Sequence, residues 1–110
     1  MINDNIGAIQ DEAQKVLNDE LAISGIVLWE IAKLKQLKRL SLDLSDRKFR
    51  RLIQEMTVFP ISLEIAEMSC NLDFRSDPAD EIIAATSIIQ EIPLLTRDRR
   101  IRSSKIVPLA

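Results

Sequence analysis

The sequence predicts a single α/β domain in which helices alternate with short apolar strands. Segments with apolar residues at helical spacing are separated by runs of about four or five apolar or β-branched residues. The connections are as short as those of alternating folds, whose strands form a parallel sheet. Composition agrees: 110 residues, 46% hydrophobic and 29% charged, can build one core and are too apolar for a disordered chain. We therefore treat 1–110 as one domain.

The first half of the chain contains three predicted helices and one predicted strand. Apolar residues recur at helical spacing in each helix, and Ser24 is the expected cap of the second helix. In order, the elements are a helix over 6–18, a strand over 21–24, a helix over 25–37, an extended connection over 40–42 and a helix over 46–56.

The second half contains two predicted helices and three predicted strands. Ser62 is the expected cap of the shorter helix, and the longer helix is apolar all round, which indicates burial. In order, the elements are a strand over 57–61, a helix over 63–70, a polar loop over 71–76, a helix over 77–90, a strand over 93–96, a basic turn over 97–103 and a strand over 106–109.

Two carboxylates are placed next to the ends of these last elements. Asp77 suits the N-cap of the helix over 77–90, Pro78 suits its first position, and Asp80 lies in its first turn. Asp98 follows directly after the strand over 93–96. A helix start and a strand end can bring such acids together, whereas acids in these places otherwise complement a helix dipole or form a turn.

A third carboxylate, Glu30, lies on an otherwise apolar stripe of the second helix. Burying a carboxylate is costly unless a charged partner or a cation satisfies it. Lys33 is a candidate partner, and an exposed position is the other simple explanation. Trp29, beside it, is interpreted as a packing residue. The neighbours of Glu30 at helical spacing are Ile26, Val27, Leu34 and Leu37.

The net charge of −2 conceals strong blocks of opposite sign. Residues 33–51 carry eight bases and two acids, and 97–110 carry five bases and one acid. Residues 52–96 carry eight acids and one base. These blocks fit a basic rim around an acidic pocket that binds a polyanion, and they fit solvated helix faces equally well. The basic face of the helix over 46–56 is interpreted as solvated, with possible RNA contact.

Residue types that are missing exclude several kinds of site. The chain has no histidine and only two glycines, which excludes histidine catalysis, histidine-bound metals and a glycine-rich phosphate loop. Any metal must then be a hard cation held by oxygen atoms. The single Cys70 cannot form an internal disulfide, and no apolar run approaches 18 residues. These features predict a cytoplasmic protein without a membrane partner.

The motifs together resemble the PIN domain family, in particular the VapC-type toxin ribonucleases. The resemblance lies in an Asp-Pro-x-Asp-x-x-Ile-Ala-Ala-Thr-like helix over 77–86, in the Thr-Arg-Asp ending at Asp98, and in the Trp-Glu-Ile-Ala run around Glu30. It extends from about Ile6 to the C-terminus. It implies a three-layer α/β fold, in which helices flank a short central parallel sheet.

The same resemblance implies an activity, a cofactor and partners. The activity is cleavage of RNA by a metal-dependent endoribonuclease that is the toxin of a toxin–antitoxin pair, with Mg²⁺ or Mn²⁺ as cofactor and RNA and a cognate antitoxin as partners. The implied catalytic and metal-binding acids are Glu30, Asp80 and Asp98. The implied supporting polar residues are Ser24, Thr96 and Asp77. The candidate contacts to RNA phosphates are Arg97, Arg99 and Arg100.

One part of the family pattern has no counterpart in this sequence. The family opens with an apolar strand that ends in an Asp, before the first helix, and Asp4 does not match that acid. We therefore expect a weakened metal site and an unpaired sheet edge, which a second copy of the chain would cover as a homo-oligomer. The alternative function is a catalytically inactive PIN remnant that binds an antitoxin or itself. A third is an interaction protein with no nuclease ancestry.

Overall fold

The computed structural model describes Met1, residues 22–39 and residues 43–110. The predicted helix over 6–18 and the predicted extended connection over 40–42 lie outside the described residues. Within them, two strands and five helices follow one another in the order β1, α1, α2, β2, α3, α4, α5. Their bounds are Ala22–Ser24 for β1, Gly25–Gln36 for α1, Arg47–Glu55 for α2, Thr57–Phe59 for β2, Leu63–Ser69 for α3, Pro78–Gln90 for α4 and Arg99–Arg102 for α5.

The two strands pair in parallel, which confirms the predicted class of a parallel sheet flanked by helices. Ile23 pairs with Val58, and the neighbouring residues continue the same register. All three residues of β1 are buried. Helices α1 and α4 both pack against β1, and α2 packs against β2. The sheet thus lies between helices, as the alternation of elements predicts.

A glycine allows α1 to begin directly beside the end of β2. A Cβ atom at Gly25 would lie 3.3 Å from the carbonyl oxygen of Phe59, which is tighter than an ordinary contact. Ser24 ends β1 and caps α1, because its Oγ accepts the Ile26 N–H at 3.3 Å. The chain therefore passes from sheet to helix with no intervening loop, which fixes the position of every residue on α1 relative to the sheet.

Helix α4 is the most deeply buried helix of the described chain. Ile83 to Ser87 are all buried, and α4 packs against α3, α1 and β1. Its two buried hydroxyl groups are satisfied locally: Thr86 donates to the Ile82 carbonyl at 2.7 Å, and Ser87 donates to the Ile92 carbonyl at 2.5 Å. Pro78 occupies the first turn as predicted, and the helix ends at Glu91 in the left-handed conformation with φ 54°.

Among the described residues, the two predicted C-terminal strands meet in a parallel bridge between Leu94 and Leu109. The Leu94 N–H donates to Pro108 at 2.8 Å, and the Ala110 N–H donates back to Leu94 at 3.0 Å. On the other side, the Met1 amino group donates to Pro93 at 2.8 Å, and the Leu95 N–H donates to Met1 at 2.7 Å. Of the predicted strand over 93–96, Leu94 and Leu95 are bridge residues in the described part of the chain.

Helices α2 and α5 differ from α4 in length and in burial. Helix α2 has no buried residue. It packs against the hydrophobic core through half-buried Phe49, Leu52 and Ile53. Helix α5 replaces the predicted basic turn, and its Ile101 is fully buried. In the described part of the chain, none of the helices combines the length and apolarity needed to cross a membrane.

Candidate acidic site

Asp80 lies in the first turn of α4, where a serine contacts its carboxylate. The Ser76 hydroxyl donates to Asp80 Oδ2 at 3.3 Å. Asp77 occupies the predicted N-cap position, but its side chain makes no capping hydrogen bond. The expectation that Asp77 serves mainly as a cap is therefore wrong for its side chain. The Asp77 carboxylate is left exposed beside Asp80 at the start of the helix.

Asp98 lies between the Leu94 bridge and α5 and is held by its neighbours on both sides. Its Oδ1 accepts the N–H groups of Arg100 at 2.8 Å and Ile101 at 3.1 Å, so Asp98 is the N-cap of α5. Its own N–H donates to Thr96 Oγ1 at 3.1 Å. Thr96 is almost fully buried. The cap uses one oxygen of Asp98 and leaves the second, Oδ2, outside the capping bonds.

Glu30 lies on α1 and is half-buried, so the alternative of an exposed position does not hold. It forms no hydrogen bond or ion pair with any described residue. Lys33, the candidate partner, donates to Gln36 Oε1 at 2.9 Å, and its Nζ lies 5.9 Å from the centroid of the Trp29 ring. Lys33 therefore does not neutralise Glu30. The interpretation of Trp29 as a packing residue is also wrong, because 54% of this side chain is exposed.

The carboxylates act on one another electrostatically. Burial raises the pKa of Glu30, and the charges of Asp80 and Asp77 raise it further. Burial likewise raises the pKa of Asp80, with further contributions from Asp98 and Asp77, while the Ser76 hydrogen bond and the charge of Arg100 oppose the rise. These four residues, Glu30, Asp77, Asp80 and Asp98, are called the acidic cluster below. Its members repel one another, and a cation would relieve that repulsion.

The acidic cluster is not a closed set of metal ligands in this conformation. Among the described residues, no three His, Cys, Asp or Glu side chains are grouped closely enough to hold a metal ion. The donor chemistry nevertheless fits a hard cation, because every candidate ligand is a carboxylate oxygen. The convergence of Glu30, Asp80 and Asp98 on a single ion remains a prediction.

The other predicted site residues divide into two groups. Ser24 is fully buried, and its observed bond is the α1 cap. Arg97, Arg99 and Arg100 are exposed at and just before α5, and of these Arg100 acts on Asp80. Sequence reasoning missed Ser76. Its position four residues before Asp80 is a signal that could have found it, because such spacing lets a side chain reach back to a first-turn carboxylate.

A pocket of about 280 Å³ lies elsewhere, under the loop between α3 and α4. Glu81 is its one lining residue from α4, and neither Glu30, Asp80 nor Asp98 lines it. The exposed Cys70 and Arg75 also border it. The pocket is therefore separate from the acidic cluster.

A parallel sheet flanked by helices, with carboxylates on α1, at the start of α4 and before α5, defines an α/β protein with an acidic surface site. Residues 6–105 match the family described as the PIN domain, so the chain belongs to that family.

Individual relatives agree with this assignment. The chain is 33% identical over 90 residues to Ribonuclease VapC22 of Mycobacterium tuberculosis, a match that covers 79% of this chain and 69% of the relative. The fold is similar to that of a chain in a toxin–antitoxin complex from Klebsiella pneumoniae, with a TM-score of 0.66, 22% identity and coverage of 92% and 83% of the two chains. It is also similar to a chain of VapBC2 from Rickettsia felis bound to promoter DNA, with a TM-score of 0.57, 16% identity and coverage of 96% and 85%.

Proposed function

We propose that this protein is a metal-dependent endoribonuclease and the toxin of a toxin–antitoxin pair. The observation that carries the proposal is the environment of the Glu30 carboxylate. It is a half-buried carboxylate without a hydrogen-bonding or charged partner among the described residues, and the negative charges of Asp80 and Asp77 act on it. Such a group is destabilising unless a cation accompanies it. The 33% identity to a ribonuclease supports the same conclusion.

Glu30, Asp80 and Asp98 would hold Mg²⁺ or Mn²⁺. Since they form no closed ligand set in this conformation, we propose that side-chain rotation completes the site. When bound, such an ion neutralises charge on a phosphodiester and lowers the pKa of a water molecule that attacks phosphorus. Hard cations of this kind prefer carboxylate oxygens, which are the donors available here.

The remaining residues would position these acids and the substrate. Thr96 holds the Asp98 backbone through its hydroxyl, while Asp98 Oδ1 caps α5 and leaves Oδ2 outside the capping bonds. The Ser76 hydroxyl restrains Asp80 differently, by donating to its side-chain carboxylate. Arg97, Arg99 and Arg100 lie in and next to α5, close in sequence to Asp98, where guanidinium groups would bind the RNA phosphates that flank the scissile bond.

We further propose two protein partners, a cognate antitoxin and a second copy of the chain. The solved structures with a similar fold come from toxin–antitoxin complexes. Large apolar side chains are also exposed, among them Leu63 at 75% and Ile61 at 46%. Light scattering at micromolar concentration tests self-association, and a stable monomer would contradict it.

Cleavage of a mixed-sequence RNA with and without Mn²⁺ tests the nuclease. Asp80→Asn and Asp98→Asn should each abolish Mn²⁺-dependent cleavage, a loss greater than the roughly 10- to 100-fold typical of outer-shell partners. Asparagine still caps a helix, so Asp98→Asn removes charge without removing the cap. The matched control is Asp46→Asn, because Asp46 caps α2 through N–H groups at 2.8 and 3.1 Å, the distances found at Asp98.

Thermal unfolding in Mn²⁺ separates cation binding from catalysis. Mn²⁺ should raise the Tm of the parent protein and of Asp46→Asn, and should raise it much less in Asp80→Asn. Binding without cleavage would support the alternative of a catalytically inactive PIN remnant that binds an antitoxin or itself. Cleavage that survives both substitutions in the acidic cluster would contradict the proposed site.

A further inference from the structure

We infer that Trp29 stacks against an unpaired RNA base next to the scissile phosphate, with Lys33 binding the adjoining phosphate. The inference rests on the proposed nuclease function and assigns a specific role to the exposed face of α1. It would make Trp29 and Lys33 determinants of how the RNA lies across the acidic cluster.

The first observation is that the Trp29 ring is exposed. More than half of the side chain, 54%, is in contact with solvent, although Trp is large and apolar and normally packs. The core of this region is formed instead by Val27 and Ile31 on the opposite side of α1. Trp29 therefore contributes little to packing, and more than half of its side chain is available to another planar group.

The second observation is the cation above that ring. Lys33 lies one helical turn from Trp29, with Nζ 5.9 Å from the ring centroid, and it donates to Gln36. A ring that holds a base and an ammonium group that binds phosphate are the two components from which proteins build surfaces for single-stranded nucleic acid. Positive charge at this position favours RNA over an apolar protein partner.

The third observation is the position of Glu30. Glu30 follows Trp29 directly in the sequence. Viewed down the α1 axis, the position of Lys33 lies between those of Trp29 and Glu30, because each residue is rotated by about 100° from the one before. The proposed function places the scissile phosphate at the acidic cluster, of which Glu30 is a member. A base on Trp29 would thus belong to a nucleotide that neighbours the cleaved bond.

The chain offers a direct probe, because Trp29 is its only tryptophan and it contains no tyrosine. Intrinsic fluorescence therefore reports on this position alone. Titration with a short single-stranded oligouridylate in EDTA, which prevents metal-dependent cleavage, should quench the emission. The same RNA annealed to oligoadenylate should quench it much less, because bases in a duplex are already stacked. An unchanged emission at saturating single-stranded RNA would overturn the inference.

Binding of labelled oligouridylate to variants, followed by anisotropy, provides the second test. Trp29→Leu should weaken binding roughly 5- to 150-fold, the equivalent of one lost stacking contact, whereas Trp29→Phe should retain most of the affinity. Lys33→Gln should reduce the slope of log affinity against log salt by about 0.7. The matched controls are Leu63→Ala, which removes another exposed apolar side chain, and Lys105→Gln, which removes an exposed charge outside α1 and α2.

The outcomes separate this inference from the proposed function. RNA that is cleaved by the parent protein and binds Trp29→Leu with unchanged affinity would contradict the role of Trp29 while leaving the nuclease intact. RNA that quenches Trp29 emission but is never cleaved would contradict the nuclease function and leave RNA binding at Trp29 intact. A change in the molar mass of Trp29→Leu in light scattering, with unchanged RNA binding, would show that this face binds protein and would also overturn the inference.

Discussion

Helices α2 and α5 begin with nearly the same local sequence, yet only one of them borders the acidic cluster. Each starts at a capping aspartate, Asp46 or Asp98, followed by two basic residues, one apolar residue and another arginine. Both aspartates accept two N–H groups at the same distances. The differences arise from what surrounds each helix.

The surroundings determine the chemistry of each aspartate. Asp98 lies close enough to Asp80 for its charge to raise the pKa of that carboxyl, and the buried Thr96 holds its backbone. Asp46 begins a helix with no buried residue. A capping aspartate followed by arginines is therefore a structural motif first. It becomes part of a candidate site only where the fold brings other carboxylates beside it.

The largest expected difference in stability between α2 and α5 comes from their apolar residues. Ile101→Ala should lower the free energy of unfolding by roughly 2–5 kcal/mol, because Ile101 is fully buried and a cavity would remain. Phe49→Ala at the equivalent position of α2 should cost no more than about 2 kcal/mol, because Phe49 is only partly buried. Urea unfolding measures both. Equal losses would mean that α2 is anchored as firmly as α5.

The caps should respond alike to alanine and differently to asparagine. Asp46→Ala and Asp98→Ala each remove two hydrogen bonds and should cost about 1 kcal/mol. Asp46→Asn should be close to neutral. In metal-free buffer, Asp98→Asn should raise the free energy of unfolding slightly, because it keeps the cap and removes repulsion with Asp80. A destabilised Asp98→Asn would show that its charge has a stabilising partner.

The acidic cluster should also give stability a characteristic dependence on pH. The folded protein raises the pKa of Glu30 above its ordinary value of 4.5. Glu30 therefore contributes to the free energy of unfolding in its protonated form. This contribution is complete below pH 4.5 and is lost as the pH rises through the raised pKa of the folded protein. At neutral pH, Glu30→Gln should raise the free energy of unfolding, because glutamine carries no charge to bury. The increase should be less than about 1 kcal/mol, because solvent screens a half-exposed group.

Urea unfolding of the metal-free protein across this pH range is the appropriate measurement. The stability difference between Glu30→Gln and the parent protein should grow with pH and then level off, and Mn²⁺ should reduce or reverse it, because the parent protein binds the cation more tightly. A difference that does not change with pH would contradict the electrostatic explanation of Glu30.

The smallest effect on stability is expected from the exposed basic residues of α2. Lys48→Gln and Arg51→Gln should each change the free energy of unfolding by less than about 0.5 kcal/mol, because neither side chain is buried. Thermal unfolding measures this directly. A larger loss would indicate that the charged face of α2 contributes to the fold.

The features that sequence predicted best depend on neighbours in the chain. Ser24 and Ser62 were predicted as caps because capping uses N–H groups two or three residues away, and the structure shows the bond in both cases. Pro78 in the first turn of α4 follows the same local rule. The apolar character of α4 on all sides likewise predicted its burial.

The features that sequence missed depend on residues far apart in the chain. Nothing local distinguishes the capping Asp46 from Asp77, whose side chain forms no cap and instead acts on Glu30. The exposure of Trp29 depends on which side of α1 the sheet and α4 cover. The bridge at Leu94 depends on pairing with Leu109, fifteen residues later. Such contacts are set by tertiary packing, which propensity does not describe.

The bonds around Asp73 have a consequence for the C-terminal segment. Asp73 accepts the Ser104 hydroxyl at 2.6 Å and the Lys105 N–H at 2.7 Å, while Ser104 Oγ accepts the N–H groups of Ile106 and Val107 at 3.1 Å. Three successive amides are thus held by side chains, outside any helix or strand. Their hydrogen exchange should be slow for a surface segment, and Asp73→Asn should accelerate all three together. The loop before α4 and the C-terminal segment would then open as one kinetic unit.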